Sequence, residues 1–291
     1  MAIATLFPAS ESGHFATSDS LHLQYRLHRP PQPTFGVVVV HGFAEHGNRY
    51  GNVLDALVPL GAAVMTFDMR GHGQSGGRRV FVNKFSEYVD DLQQVLALAA
   101  TKLPQPLFVV GHSMGGLVAL LAARSAKVTV AGWVVSNPAL ANRVKVPAWK
   151  EVLAKIASSI VPGLAIPSGI PPTDVSQDQD EVREYDGDPL NNKNATARWY
   201  TEFVAAQTEL MASPELLRGL PLLVQLSDGD RIIDAEVTRG FFAKIGGDAA
   251  QLAEYPGLYH EIYNEKAVAR HQVLADLGDW LQKRTASLAT G

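Results

Sequence analysis

Short apolar runs alternate along this chain with segments in which apolar residues recur every three or four positions. Leu21 to His28 switches between apolar and polar at each step, the pattern of a strand with one face exposed. Ser18, Asp19 and Ser20 before it predict a turn back to an earlier strand around Gly13 to Ala16. Pro30, Pro31 and Pro33 close that unit. Val37 to Val40 is then continuously apolar, as in a strand covered on both faces of a parallel sheet. Helical spacing follows at Leu54, Leu57 and Val58, and a second buried strand runs from Ala63 to Asp68. Val89, Leu92, Leu96 and Ala99 mark a helix over Phe85 to Thr101. Further strands are predicted at Leu107 to Val110, Val128 to Ser136, Leu222 to Ser227 and Gln251 to Tyr255, with an amphipathic helix over Val268 to Leu281. This alternation predicts an α/β fold, a mostly parallel doubly wound sheet with an antiparallel N-terminal edge.

One stretch breaks the rhythm. Between about Leu140 and Leu217 no buried strand is evident. Trp149, Leu153, Ile156 and Ile160 form an apolar helical stripe, then come Pro162, Pro167, Pro171 and Pro172, then a very polar run from Asp174 to Asp188. The reading is a core of residues 1–139 and 218–291 carrying a helical lid insertion at 140–217, since sites in such sheets lie at strand carboxyl ends. The apolar stripe either packs on the sheet or offers a face for transient contact with a membrane or micelle.

Bulk properties narrow the function classes. At 291 residues, 46% hydrophobic and 19% charged, the chain is an ordinary globular length and balance. A formal net charge of −4 gives no basic surface for nucleic acid. The absence of cysteine excludes disulfides, thiolate metal sites and a cysteine nucleophile, and fits a cytoplasmic location. The first residues lack the basic and apolar regions of a secretory signal, and no apolar run approaches the roughly 18 residues of a membrane span.

The chemistry centres on Gly111-His-Ser-Met-Gly115, which fits G-x-S-x-G between the strand ending at Val110 and a helix with Leu117, Leu120 and Leu121 on one face. In that setting the motif describes a nucleophile elbow at Ser113. Serine needs a base, and the base needs an acid, in the chain order serine, acid, histidine. Of the later histidines, His271 falls within the closing helix, whereas His260 follows Pro256-Gly257 in the loop after the last strand. The acid belongs in the loop after Ser227, where Asp230 is preferred and Asp228 is the alternative across Gly229. The oxyanion needs two N–H donors. Met114, at a helix N-terminus, supplies one, and Phe43 in His41-Gly-Phe43, after another strand, supplies the second. His41 reads as structural, and His41, Glu45 and His46 lack the H-E-x-x-H spacing of a metal site. Asp68 and Arg70, at the start of a glycine-rich loop, read as residues pinning that loop. No cofactor or metal is called for.

His41 to Tyr50, Asp68 to Ser75, Gly111 to Gly116, Asp186-Gly-Asp-Pro-Leu190 and Ser227-Asp-Gly-Asp-Arg231 together resemble the monoacylglycerol lipases and their bacterial lysophospholipase-like relatives, which are α/β-hydrolases. The resemblance spans about residues 20 to 280 and is weakest from 140 to 175. It implies a serine hydrolase of single-chain lipid esters, with Ser113, Asp230 and His260 as triad and the amides of Phe43 and Met114 as oxyanion hole. Glu45, Arg49 and Tyr185 are implied to hold the glycerol end, although a glutamate–arginine pair in a loop also serves as a local anchor. Phe43 departs from the small residue of many relatives and narrows or reshapes the acyl pocket. Lysophospholipase, general carboxylesterase and thioesterase activities fit the same machinery, and a non-catalytic binding protein is the more distant alternative.

Overall fold

In the computed structural model, which describes residues 5–144 and 146–289, the apolar runs become the middle of an eight-stranded sheet. Its strands are β1 (Glu11–Ala16), β2 (His22–His28), β3 (Phe35–Val40), β4 (Ala62–Phe67), β5 (Leu107–His112), β6 (Gly132–Ser136), β9 (Leu222–Ser227) and β10 (Ala250–Tyr255). They lie in the order β1-β2-β4-β3-β5-β6-β9-β10. β1 and β2 are antiparallel, as are β2 and β4, and every pair from β4 to β10 is parallel. The reversal at β3 and the outward march through β5, β6, β9 and β10 is the doubly wound plan the sequence predicts.

Successive residues of each central strand face opposite sides, so a continuous apolar run fills two cores at once. Phe35, Val37 and Val39 of β3, with Phe108 and Val110 of β5, meet Val53, Leu54 and Leu57 of α1 (Gly51–Leu57). Val273, Leu277 and Leu281 of α8 (Ala267–Ala289) complete that layer. Val38 and Val40, with Val109, instead meet Leu92 and Leu96 of α2 (Ser86–Lys102) and Leu117 of α3 (Met114–Ala123). Phe241 of α7 (Ala235–Ile245) belongs to the same layer. The closing helix outruns its predicted end at Leu281, because Gln282, Lys283 and Arg284 are helix formers without an apolar face to advertise them.

Between β6 and β9 the chain leaves the sheet. It forms α4 (Ala148–Ile160), a two-stranded antiparallel ribbon of β7 (Ala165–Pro167) and β8 (Asn194–Thr196), α5 (Gln179–Gly187) and α6 (Ala197–Ala212). The polar run does contain a helix. Asp178 caps α5 by accepting from the Asp180 amide at 3.0 Å, and Val182 is its buried residue, too little apolar periodicity to read in advance. α4 rests on α6 through polar contacts: Ser158 and Thr201 hydroxyls meet at 2.8 Å, and Arg198 donates to the Ser158 carbonyl at 2.8 Å. Its apolar stripe faces away from the core. Trp149, Leu153, Ile156 and Ile160 are each half or more exposed, with Ile160 at 74%.

Candidate active site

The carboxyl ends of β3, β5, β9 and β10 converge on one cleft. At the end of β5 the chain turns so sharply that Ser113 adopts φ 52° and ψ −117°, a strained conformation for a residue with a side chain. Backbone bonds hold it there: Ser113 N–H donates to the Ser136 carbonyl, and the Leu117 and Ala139 amides donate to the Ser113 carbonyl, all at 3.0–3.1 Å. The two motif glycines are steric requirements. A methyl at Gly111 would approach the Gly115 carbonyl oxygen to 2.6 Å, and one at Gly115 would approach the Val40 carbonyl oxygen to 2.2 Å.

Three side chains from separate loops form one hydrogen-bonded line. Ser113 Oγ lies 2.8 Å from His260 Nε2, and His260 Nδ1 lies 2.6 Å from Asp230 Oδ2. The other Asp230 oxygen accepts from the Ile232 and Ile233 amides at 2.7 and 3.0 Å, so the carboxylate is fixed at both ends. An ionised carboxylate only accepts, which places the imidazole proton on Nδ1 and leaves the Nε2 lone pair facing the serine hydroxyl. Asp228 is elsewhere: its Oδ1 accepts from the Gly257 amide at 2.6 Å in the turn after β10. Asp234 caps α7. His271 is exposed on α8.

Charge reinforces this line. Burial lowers the affinity of His260 for its proton, but the Asp230 charge and hydrogen bond, with Glu261 and Glu45 behind them, raise its pKa above the usual 6.5. Burial pushes Asp230 up, and its bonds to His260 and the two amides more than reverse that, leaving it below the ordinary carboxylate value. The neighbouring His112, with its ring 4.8 Å from that of His260, is driven down to about 3 by burial and by His260. It stays neutral and bonds Ser136 Oγ at 2.8 Å.

The loop after β3 faces the serine. Gly42 sits so close that a methyl there would lie 3.3 Å from Ser113 Cβ and 2.8 Å from Glu45 Oε1. Glu45 Oε1 accepts from the Gly42 amide at 2.5 Å and from Tyr50 Oη at 2.8 Å, tying the turn that presents Phe43. Phe43 lines the cleft beside Ser113, and Met114 opens α3, where a first-turn amide has no intrahelical acceptor. His41 is structural: its Nε2 accepts from the Met69 amide at 2.9 Å, so its Nδ1 donates to the Gly42 carbonyl at 2.7 Å. Asp68 accepts from Gly47 and Gln74 amides and pairs with Arg26, and Arg70 grips Asp91, so both pin the loop they begin.

Lining the cleft are the polar side chains of Glu45, Tyr185 and Glu261 and the apolar ones of Phe43, Ile170, Val175 and Ile232. Arg49 does not line it. The guanidinium is fully buried behind the acids, with Nη2 2.6 Å from Glu261, Nε 3.3 Å from Glu45, and its carbon 5.0 Å from the Tyr185 ring centroid. One cation thus serves two buried carboxylates. Glu261, closer to Arg49 and also bonded by Asn264 at 2.9 Å, stays below its ordinary pKa against the upward push of burial. Glu45 is pushed up to about 7 by burial and by Glu261.

Sequence reasoning passes over two residues that complete the site. Glu261 directly follows His260, and a buried acid beside a candidate base is the signal that could mark it. Asn137 bonds Ser227 through both side-chain ends and donates to the His260 carbonyl at 2.8 Å, locking three strand ends together. His46 and Asp188, also buried and 2.9 Å apart, link the loop after β3 to the Asp-Pro-Leu segment.

The chain is similar to known proteins over most of its length. Residues 31–267 match the hydrolase family described as serine aminopeptidase, S33. A monoacylglycerol lipase of Mycolicibacterium smegmatis is 31% identical over 92% of this chain and 95% of its own length. A phospholipase of Bacillus subtilis, YtpA, is 29% identical over 80% of this chain and 90% of its own. The crystal structure of a Paleococcus ferrophilus monoacylglycerol lipase superposes with a TM-score of 0.80 at 27% identity, covering 91% of this chain and 99% of that one.

Proposed function

Since this chain belongs to the monoacylglycerol lipase family of α/β-hydrolases, we propose that it hydrolyses monoacylglycerols through an acyl-enzyme on Ser113. That it is a lipase-type ester hydrolase follows from the family; the substrate and the residue roles are the reading put forward. What carries the reading is the hydrogen-bonded line Ser113–His260–Asp230 at a cleft lined by both polar and apolar side chains.

In this scheme His260 Nε2 takes the proton of Ser113 Oγ as the oxygen attacks the ester carbonyl. The carbonyl oxygen becomes an anion held by the Met114 and Phe43 amides. Asp230 keeps the imidazole oriented and stabilises its cation. As the tetrahedral intermediate collapses, His260 returns the proton to the glycerol oxygen and the alcohol leaves. A water then gives its proton to His260 and attacks the acyl-serine, and the same steps release the fatty acid and restore the serine. Residues 140–217 serve as the lid over the core of 1–139 and 218–291, with the exposed stripe of α4 turned towards a micelle or membrane surface. No helix among the described residues is long and apolar enough to cross a membrane.

The polar lining residues favour a neutral diol. Glu45 and Glu261 accept hydrogen bonds from hydroxyls, with Tyr185 beside them, while Arg49 behind them fixes their positions. A phosphate in the same place would meet the two carboxylates, with Arg49 buried behind them and outside the cleft lining. Monodecanoylglycerol is therefore expected to exceed decanoyl lysophosphatidylglycerol in kcat/KM by at least about tenfold, a difference worth roughly 1.4 kcal/mol. Equal or faster cleavage of the lysophospholipid would make this a lysophospholipase instead.

The raised His260 pKa gives a second test. A protonated imidazole cannot accept the serine proton, so kcat/KM is expected to fall about tenfold per pH unit below a midpoint lying above 6.5. A rate profile flat down to pH 5 would remove His260 from the role of base.

A further inference from the structure

Phe43, one of the apolar residues lining the cleft, is backed by stacked rings. Phe43, beside Ser113, has its ring centroid 4.5 Å from that of Trp199 at an interplanar angle of 35°. Trp199 lies parallel to Phe203, with centroids 4.9 Å apart and planes within 10°. The two are four residues apart on α6 and so share one helix face, and both are buried. Phe203 continues the row to Phe85 at 6.1 Å, just ahead of α2. The near end of α6 is also fixed: Thr196 Oγ1 accepts from the Trp199 amide at 3.3 Å and donates to the Val80 carbonyl at 2.7 Å. The cleft itself encloses about 30 Å³, room for a water or two. A tail leaving Ser113 on the Phe43 side meets that ring with a row of core aromatics directly behind it.

We propose that the Phe43–Trp199–Phe203 stack is the end wall of the acyl site and limits the enzyme to short and medium acyl chains. This rests on the reading of Ser113 as the attacking group in a monoacylglycerol lipase. Each methylene that reaches a buried apolar contact raises affinity roughly fourfold, and methylenes beyond the wall gain nothing. With so little enclosed space in front of Phe43, kcat/KM in the unaltered enzyme is expected to change little from butyryl- to octanoylglycerol and to fall towards palmitoylglycerol. Phe43→Ala opens the wall while leaving the backbone amide in place.

The test is the ratio of kcat/KM for dodecanoyl- to hexanoylglycerol, measured within each variant below the micelle concentration of each ester. A uniform loss of activity cancels in that ratio. It is expected to rise at least about tenfold in Phe43→Ala, the gain of roughly two newly buried methylenes. A smaller rise is expected in Trp199→Leu, and Phe43→Leu carries the test should the alanine variant fail to fold. An unchanged ratio in folded variants, or a preference for palmitoylglycerol in the unaltered enzyme, overturns the wall and leaves the hydrolase reading standing. Failure of the unaltered enzyme to cleave any glyceride overturns the reading beneath it.

Discussion

Ser113→Ala is expected to lower kcat/KM for a monoacylglycerol or a nitrophenyl ester by about 10⁵-fold or more, with the fold intact. The size follows from the arrangement around the hydroxyl. His260 Nε2 has Ser113 Oγ as its partner at 2.8 Å, so alanine leaves the base with no nucleophile to activate. The Met114 and Phe43 amides remain and sustain only the residual rate that oxyanion stabilisation gives to attack by water. Stability is expected to change little. The serine backbone bonds to Ser136, Leu117 and Ala139 involve no side-chain atom, and the turn's steric demands fall on Gly111 and Gly115. A melting temperature within a few degrees of the parent, measured alongside the rates, separates lost chemistry from lost structure. Retention of more than about a tenth of the activity would contradict the role given to Ser113.

Asp230→Asn is the second large effect, about 10³- to 10⁴-fold in kcat. Asparagine can still accept from the Ile232 and Ile233 amides, so the side chain stays in place. Its NH₂ then faces His260 Nδ1, which must accept rather than donate. The imidazole proton moves to Nε2, the wrong side for taking one from Ser113. The same substitution removes the charge that raises the His260 pKa, so the acid limb of the residual activity is expected at lower pH than in the parent. Asp228→Asn provides the contrast. That carboxylate bonds the Gly257 amide in a partly exposed turn, and its replacement is expected to cost no more than about threefold, within the range of an ordinary surface change. Equal losses at both positions would mean that the line from serine to acid is drawn wrongly.

The parts of this site that were legible in the sequence are those dictated by local chain physics. Apolar runs such as Val37 to Val40 must be covered on both faces, and β3 is. A serine flanked by glycines between strand and helix must form a tight turn, and Ser113 does. Gly229, the turn that separates the two candidate carboxylates in the sequence, lies against Gly257, and Asp228 accepts from the Gly257 amide there. What lay outside the sequence was set by partners distant in the chain. The local pairing of Arg49 with Glu45 is visible in the linear order, but its second partner, Glu261, lies 212 residues further on. Asn137 is unremarkable until β6, β9 and the His260 loop meet around it. The α4 stripe has the periodicity of a core helix and is exposed nonetheless, because α6 contacts it through Ser158 and Thr201 on its other side.

Reaction with an alkyl fluorophosphonate, followed by peptide mass spectrometry, tests the central claim most directly. The account predicts a single adduct on Ser113 that forms in step with loss of ester hydrolysis and is absent from Ser113→Ala. An adduct on another residue, or full activity in protein already modified at Ser113, would contradict it.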